Sequence, residues 1–167
     1  ACTQTAIANG TWAPDSLIYY PTGAPSPTCT YTNPANISCS YMYYKVPDST
    51  EPYGYRCAFM ITLNDNGGTG GDGTIYNVYG VKYLDQSGNL LNNGSVTRPT
   101  KANSAFTGYY YSSETNPRIP ASGALPAPTA FATSTALSAR FETCAGTGTN
   151  GTITSSVELN AQNEQKC

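Results

Sequence analysis

In the run Tyr53-Gly-Tyr-Arg-Cys-Ala-Phe-Met-Ile-Thr-Leu63, the residues Tyr55, Cys57, Phe59, Ile61 and Leu63 recur at every second position. A period of two lays all five side chains on one face of an extended chain, which a helix of 3.6 residues per turn does not do. Ile37, Cys39, Tyr41 and Tyr43 repeat the pattern upstream, and Ile75 to Leu84 is rich in strand formers with large residues on both faces. Asp85-Gln-Ser-Gly-Asn89 then reads as a hairpin turn into Leu90-Leu91. Leu137, Ala139 and Phe141 form a further strand face. Leu137 and Phe141 also have helical spacing, but the alternation favours a strand, set opposite Ile153, Ser155, Val157 and Leu159. The stretches Pro21 to Pro34 and Pro117 to Pro128 cannot serve as central ladder strands and are expected as extended surface loops. Short strands separated by Gly, Pro and Asn turns predict one all-β domain over residues 1–167. The expected architecture is an antiparallel β-sandwich, Ig-like or jelly-roll-like, stapled by disulfides and carrying long Pro/Gly-rich loops, with a small barrel as the alternative.

The cysteines place such a domain outside the cell. Cys2, Cys29, Cys39, Cys57, Cys144 and Cys167 are even in number, and none forms a C-x-x-C pair, so disulfides are expected rather than zinc or redox chemistry. Cys144 and Cys167 stand apart from the rest and pair with each other. For the other four the favoured pairing is Cys2–Cys57 with Cys29–Cys39, and Cys2–Cys29 with Cys39–Cys57 is the close alternative. The start Ala1-Cys2-Thr3 is that expected of a mature form after removal of a secretory signal peptide. Asn9, Asn36, Asn93 and Asn150 each head an N-x-S/T sequon and are glycosylation candidates. Three of them also form Asn-Gly turn dipeptides, which gives each an equally ordinary structural explanation. No apolar run approaches the roughly 20 residues of a membrane-spanning helix. A secreted or cell-surface location follows as the expectation.

Charge narrows the function. Lys, Arg, Asp and Glu make up 11% of the 167 residues and the net charge is -2, which argues against a basic nucleic-acid surface or a polybasic membrane patch. The chain has no His, so it can form neither a Ser-His-Asp nor a Cys-His nucleophile. Its 10 acids fall mostly beside Gly, Pro, Asn or Ser in turns, and no pair suggests the two carboxylates of a glycosidase. No catalytic centre and no cofactor are expected.

The densest local motif is Asn64-Asp-Asn-Gly-Gly-Thr-Gly-Gly-Asp-Gly-Thr74. Its core, Gly67 to Gly73, resembles one nonapeptide of the calcium-binding β-roll, in which glycines bend the chain and Asp supplies hard oxygen ligands. That resemblance makes Asp65 and Asp72 weak calcium candidates. It extends to one copy where the β-roll stacks many, and Thr74 takes the place of the large apolar residue. The ordinary explanation is a glycine-rich hairpin joining the strand that ends at Leu63 to the one that begins near Ile75.

Tyrosine is the last unusual feature, with 14 copies against 4 Phe and 1 Trp. Neighbouring residues of a strand point to opposite faces, so half of each Tyr cluster is expected at the surface. Tyr109, Tyr110 and Tyr111 lie among Gly, Ser and Thr with no apolar neighbours in sequence. With Tyr43, Tyr44 and Trp12 they are the candidate contact surface, since Tyr suits both subunit packing and sugar stacking. Two functions fit. One is a non-enzymatic structural or adhesive module, a subunit of a filament or pilus-like assembly that self-associates through Tyr-rich faces. The other is a soluble lectin-like module that binds glycans through the same residues. Residues 3–13, with Ile7 and Trp12, could join neighbouring copies by strand addition.

Overall fold

A computed structural model describes residues 17–19, 29–31, 37–39, 42–45, 55–91, 94–144, 158–162 and 164–167, with the backbone alone described at 17–57 and 158. The described residues are mostly β and contain no helix. In chain order the strands are β1 (Leu17–Tyr19), β2 (Cys29–Tyr31), β3 (Ile37–Cys39), β4 (Met42–Lys45), β5 (Tyr55–Asn64) and β6 (Thr74–Val78). They continue with β7 (Lys82–Leu84), β8 (Ser104–Tyr110), β9 (Ile119–Pro120), β10 (Thr135–Thr143), β11 (Glu158–Leu159) and β12 (Gln165–Lys166). The main sheet runs β1-β4-β5-β10-β8-β9, with β6 on β5 and β7 on β6. Two further pairs, β2–β3 and β11–β12, stand apart from it.

This sheet is mixed, where uniform antiparallel pairing was expected. β10 lies parallel to β5, with Thr135 opposite Ile61 and Leu137 opposite Leu63, and antiparallel to β8, with Ala139 opposite Tyr109. A parallel pair needs a long crossover, and the whole stretch between β5 and β10 provides it, so no local turn motif announces the pairing. Of the strand expected opposite Leu137 to Phe141, only Leu159 is placed. Leu159 belongs to β11, whose partner is β12, and its side chain is 59% exposed. Residues 153–157 lie outside the described residues.

The chain divides into two compact units. The first comprises residues 1–60, 76–90 and 128–134. In it β4 pairs antiparallel with β1 and with the start of β5, placing Tyr43 opposite both Ile18 and Cys57. Ala58, Tyr76, Val78 and Leu84 form a buried cluster with Met60 against it. Phe59 meets Tyr79 edge to face at 6.3 Å, and Tyr83 meets Phe131 at 6.5 Å, both within the range favoured by aromatic pairs. Asn77 is fully buried, its Nδ2 donating to the Phe131 carbonyl at 2.7 Å. The turn after β7 forms as its sequence predicts. The Asp85 carboxylate accepts from the Ser87 and Asn89 N–H groups at 2.9 Å each, and Leu84 bridges to Leu90.

The second unit comprises residues 61–75, 91–127 and 135–167. Ile61, Leu63, Ile75, Phe106, Tyr109, Ile119, Leu137 and Ala139 are its largest fully buried side chains or their strand neighbours. Phe106 packs on Tyr109 at 5.1 Å and on Phe141 at 6.0 Å. β8 carries one extra residue against β10 between Gly108 and Phe106, a bulge. Gly108 sits there at φ +137, and a Cβ would lie 2.6 Å from Pro117 and 2.7 Å from the Ile119 carbonyl, so only glycine lets β9 approach. Part of the second Pro-rich loop is therefore strand. Pro120 is tolerated because β9 is an edge, where a missing N–H leaves no ladder bond unmade. Cys144 and Cys167 are disulfide-bonded, as expected, with Cα atoms 5.1 Å apart.

Candidate functional site

Where β8 leaves the sheet, the three consecutive tyrosines part company. Tyr109 is fully buried, Tyr110 is 9% exposed and Tyr111 is 44% exposed. Tyr109 and Tyr110 are thus corrected as contact-surface residues. Tyr109 packs on Phe106 of its own strand and stands opposite Ala139 of β10, while Tyr110 lies against the Arg140 guanidinium, contacts that the Gly, Ser and Thr beside them in sequence do not announce. Tyr111 remains at the surface and opens a loop that ends at Arg118, whose N–H donates to the Tyr109 carbonyl at 2.8 Å.

That loop is fixed from two sides. Arg140 projects from β10 with its guanidinium 4.0 Å from the Tyr110 ring centroid, a cation–π contact. The same guanidinium donates Nη1 to the Glu114 carbonyl at 2.6 Å and Nη2 to the Ser112 carbonyl at 3.0 Å. A planar fork with five donors can stack and bridge two carbonyls at once, which an ammonium cannot do. Ser112 adopts φ 48, a left-handed conformation uncommon outside glycine, in the turn that Arg140 holds. On the outer side, Arg118 donates Nε and Nη2 to the two Glu114 oxygens, each at 2.7 Å, while its Cζ lies 5.3 Å from the Tyr111 ring. The hydrogen bond from Arg118 holds the Glu114 carboxyl below its ordinary pKa. The pair is exposed and adds little to stability, but it aligns the ring and the guanidinium side by side. Ser112, Ser113, Thr115 and Asn116 complete a neutral, hydroxyl-rich loop surface.

In the glycine-rich motif both candidate carboxylates accept hydrogen bonds from the protein. Asp65 Oδ2 accepts the Gly71 N–H at 3.3 Å, and Oδ1 accepts the Tyr109 hydroxyl at 3.4 Å. Asp72 Oδ2 accepts the Thr97 N–H at 2.7 Å. Asn66 Nδ2 donates to the Ala139 carbonyl at 2.9 Å, and Thr69 and Thr100 exchange both backbone hydrogen bonds at 2.9 Å. Each carboxylate therefore ties the loop to a neighbouring strand or turn. Among the described residues, no three Cys, Asp or Glu side chains group as a metal site would require.

The remaining candidates are placed only in part. Tyr43 and Tyr44 lie on β4, opposite Cys57 and Arg56. The β2–β3 register sets Cys29 directly opposite Cys39. Cys2, Trp12, residues 3–13 and the sequon residues Asn9, Asn36, Asn93 and Asn150 lie outside the described residues. Sequence reasoning missed Arg140, Glu114 and Arg118. The Glu114/Arg118 spacing was visible, but a Pro between them argued against the helix in which such spacing is usually read. No protein-family model, curated protein or solved structure matches this chain.

Proposed function

We propose that this protein is a non-enzymatic, extracellular structural or adhesive module that makes its contacts through the loop from Tyr111 to Arg118. The observation that carries this reading is the exposed Tyr111 ring on a loop already fixed by Arg140 and flanked by Arg118. Tyr and Arg are the residues most often dominant at protein contacts, and a pre-ordered loop loses less entropy on binding than a loose one. Burial of Tyr109 and Tyr110 leaves Tyr111 as the exposed member of the three consecutive tyrosines. The occupant under this reading is a second copy of the chain, in an oligomer or filament. The disulfide and the scarcity of charge suit an oxidising exterior.

Sedimentation velocity and negative-stain microscopy of the native protein and of Tyr111→Ala test this. Concentration-dependent assembly that the substitution abolishes supports the reading. Monodisperse particles at all concentrations, or assembly indifferent to Tyr111, sink it. The second reading is glycan binding at the same residue, favoured by the hydroxyl and amide groups around the ring. Saturable retention of the native monomer on a glycan array, lost in Tyr111→Ala, would select it.

A further inference from the structure

The hairpin of β11 and β12 is built largely on its own. Among the described residues its strands pair with each other and not with the main sheet, Glu158 standing opposite Lys166 and Leu159 opposite Gln165. Asn160 closes its turn: Oδ1 accepts the Gln162 and Glu164 N–H groups at 3.0 and 2.8 Å, and the Asn160 N–H donates to the Glu164 carbonyl at 2.9 Å. Leu159, the one large aliphatic side chain between residues 158 and 167, is 59% exposed and so anchors the hairpin poorly. A two-stranded ribbon of this kind is at best marginally stable in water.

Two ties fasten it to the sheet. The first is Gln165, 8% exposed, whose Oε1 accepts the Phe106 N–H at 3.0 Å and whose Nε2 donates to the Pro99 carbonyl at 3.3 Å. β9 pairs with β8 at Gly108 and Tyr109, and at Phe106, beyond that pairing, the Gln165 side chain supplies the acceptor for the strand's N–H. The second tie is the disulfide from the exposed Cys167 to the fully buried Cys144, which follows β10 and donates its own N–H to the Asn103 carbonyl at 2.7 Å. We propose that this disulfide is a redox lock on the hairpin. With Cys144 and Cys167 joined, β12 is docked and Phe106 of β8 is covered; with both thiols free, the hairpin undocks while β5, β10 and β8 stay folded.

The two Gln165 bonds are between neutral groups that water can also satisfy, so their net contribution is modest. The disulfide, two residues away, keeps the Gln165 amide at a high local concentration beside the Phe106 N–H. The sheet has its own support, since β5 and β10 pair directly and bury Ile61, Leu63, Leu137 and Ala139. Closing the lock moves two electrons. The Cys144 and Cys167 thiols are oxidised to one S–S bond, an organic disulfide such as oxidised glutathione is reduced to two thiols, and the two protons lost by the cysteines end on those thiols. A dithiol reductant runs the exchange in reverse, itself becoming a disulfide.

Amide hydrogen exchange of the full chain tests the lock, comparing the oxidised protein with the double variant Cys144→Ser, Cys167→Ser, in which it is held open. The Phe106 amide should exchange about 100-fold faster in the double variant, at a rate that low urea does not change, the mark of local opening. The Leu63 amide, which donates to the Gly73 carbonyl at 2.9 Å, should stay at least about 10-fold better protected than Phe106 there and remain sensitive to urea. Gln165→Ala should speed exchange at Phe106 with the disulfide intact. During reoxidation of the reduced wild-type protein by oxidised glutathione, Phe106 protection should return with the Cys144–Cys167 bond, followed by alkylation of the remaining thiols. Equal opening of Phe106 and Leu63 in the double variant would show that the hairpin leaves only with the whole unit and would overturn the proposal. So would Phe106 protection that survives the double substitution or Gln165→Ala, or that returns before the bond forms.

Discussion

The Tyr109 hydroxyl donates a long hydrogen bond, 3.4 Å, to Asp65 Oδ1, joining a fully buried ring of β8 to the first carboxylate of the glycine-rich loop. A phenol in this position resists ionisation. Burial comes first, because the phenolate would lose its hydration, and the negative charges of Asp65 and Asp72 add to it, so the pKa rises well above the usual tyrosine value near 10. Burial raises Tyr83 in the same direction.

The sign of the pH dependence follows. A group whose pKa is raised by folding contributes stability that is present below its unfolded value, here about 10, and is lost as the pH climbs toward the folded value. Stability toward urea should therefore hold between pH 7 and pH 9, as far as these two groups are concerned, and decline above about pH 10. Absorbance titration of the native protein should show late-titrating tyrosines that become ordinary in denaturant. Tyr109→Phe should remove one of them and, because the hydrogen bond is long, cost about 0.5 kcal/mol at neutral pH. Ordinary titration of all 14 tyrosines in the native state would contradict this account.

Gly71→Ala should destabilise the second unit by about 1–3 kcal/mol. A Cβ there would stand 2.5 Å from Asp65 Oδ1 and 2.8 Å from the Tyr109 hydroxyl, so the pair just described would have to separate. Gly70→Ala is an instructive comparison. It has open space but φ +83, so its cost is backbone strain without collision. Chemical denaturation of both variants, with and without calcium, measures the difference, and calcium is expected to shift neither midpoint.

The disulfide pattern is a third expectation. With Cys144–Cys167 formed and Cys29 opposite Cys39 in register, Cys2–Cys57 is the pair that remains. Peptide mapping without reduction should recover these three links. A peptide joining Cys2 to Cys29, or Cys39 to Cys57, would refute the assignment. Replacing Cys144 and Cys167 together by Ser should cost about 2–4 kcal/mol, since the link closes a loop of 23 residues.

What the sequence made legible was local. Phe59, Ile61 and Leu63 are buried while Thr62 and Asn64 are exposed, as period two requires, and Asp85 closes the turn its sequence announces. Leu137 and Ala139 resolve their strand-or-helix ambiguity as a strand, because both are buried at alternate positions of β10. What stayed hidden depended on residues far apart in the chain. Tyr109 reads as exposed among Gly, Ser and Thr, yet Ala139 stands opposite it on β10 and Asp65 meets its hydroxyl. The parallel β5–β10 pair and the anchoring of the 111–118 loop by Arg140 of β10 are products of topology, which periodicity does not encode.

Arg140 separates anchoring from contact. Its stacking on Tyr110 and its bonds to the Ser112 and Glu114 carbonyls hold the loop from inside, whereas Arg118 acts only at the outer surface. Arg140→Met keeps an alkyl stem over the ring but removes the charge-assisted bonds, so it should cost about 1.5–3 kcal/mol and loosen residues 111–118. Arg118→Gln should leave the melting temperature nearly unchanged, because the lost pair is solvent-exposed. Hydrogen exchange then distinguishes the roles. Faster exchange at the Glu114 amide, which donates to the Tyr111 carbonyl at 3.0 Å, is expected in Arg140→Met and not in Arg118→Gln. If contact depends on a pre-ordered Tyr111, both variants should weaken assembly, Arg140→Met through the entropy of reordering the loop and Arg118→Gln through loss of the group beside the ring. Equal exchange at that amide in the two variants would remove Arg140 from the anchoring role and with it the case for a pre-ordered contact loop.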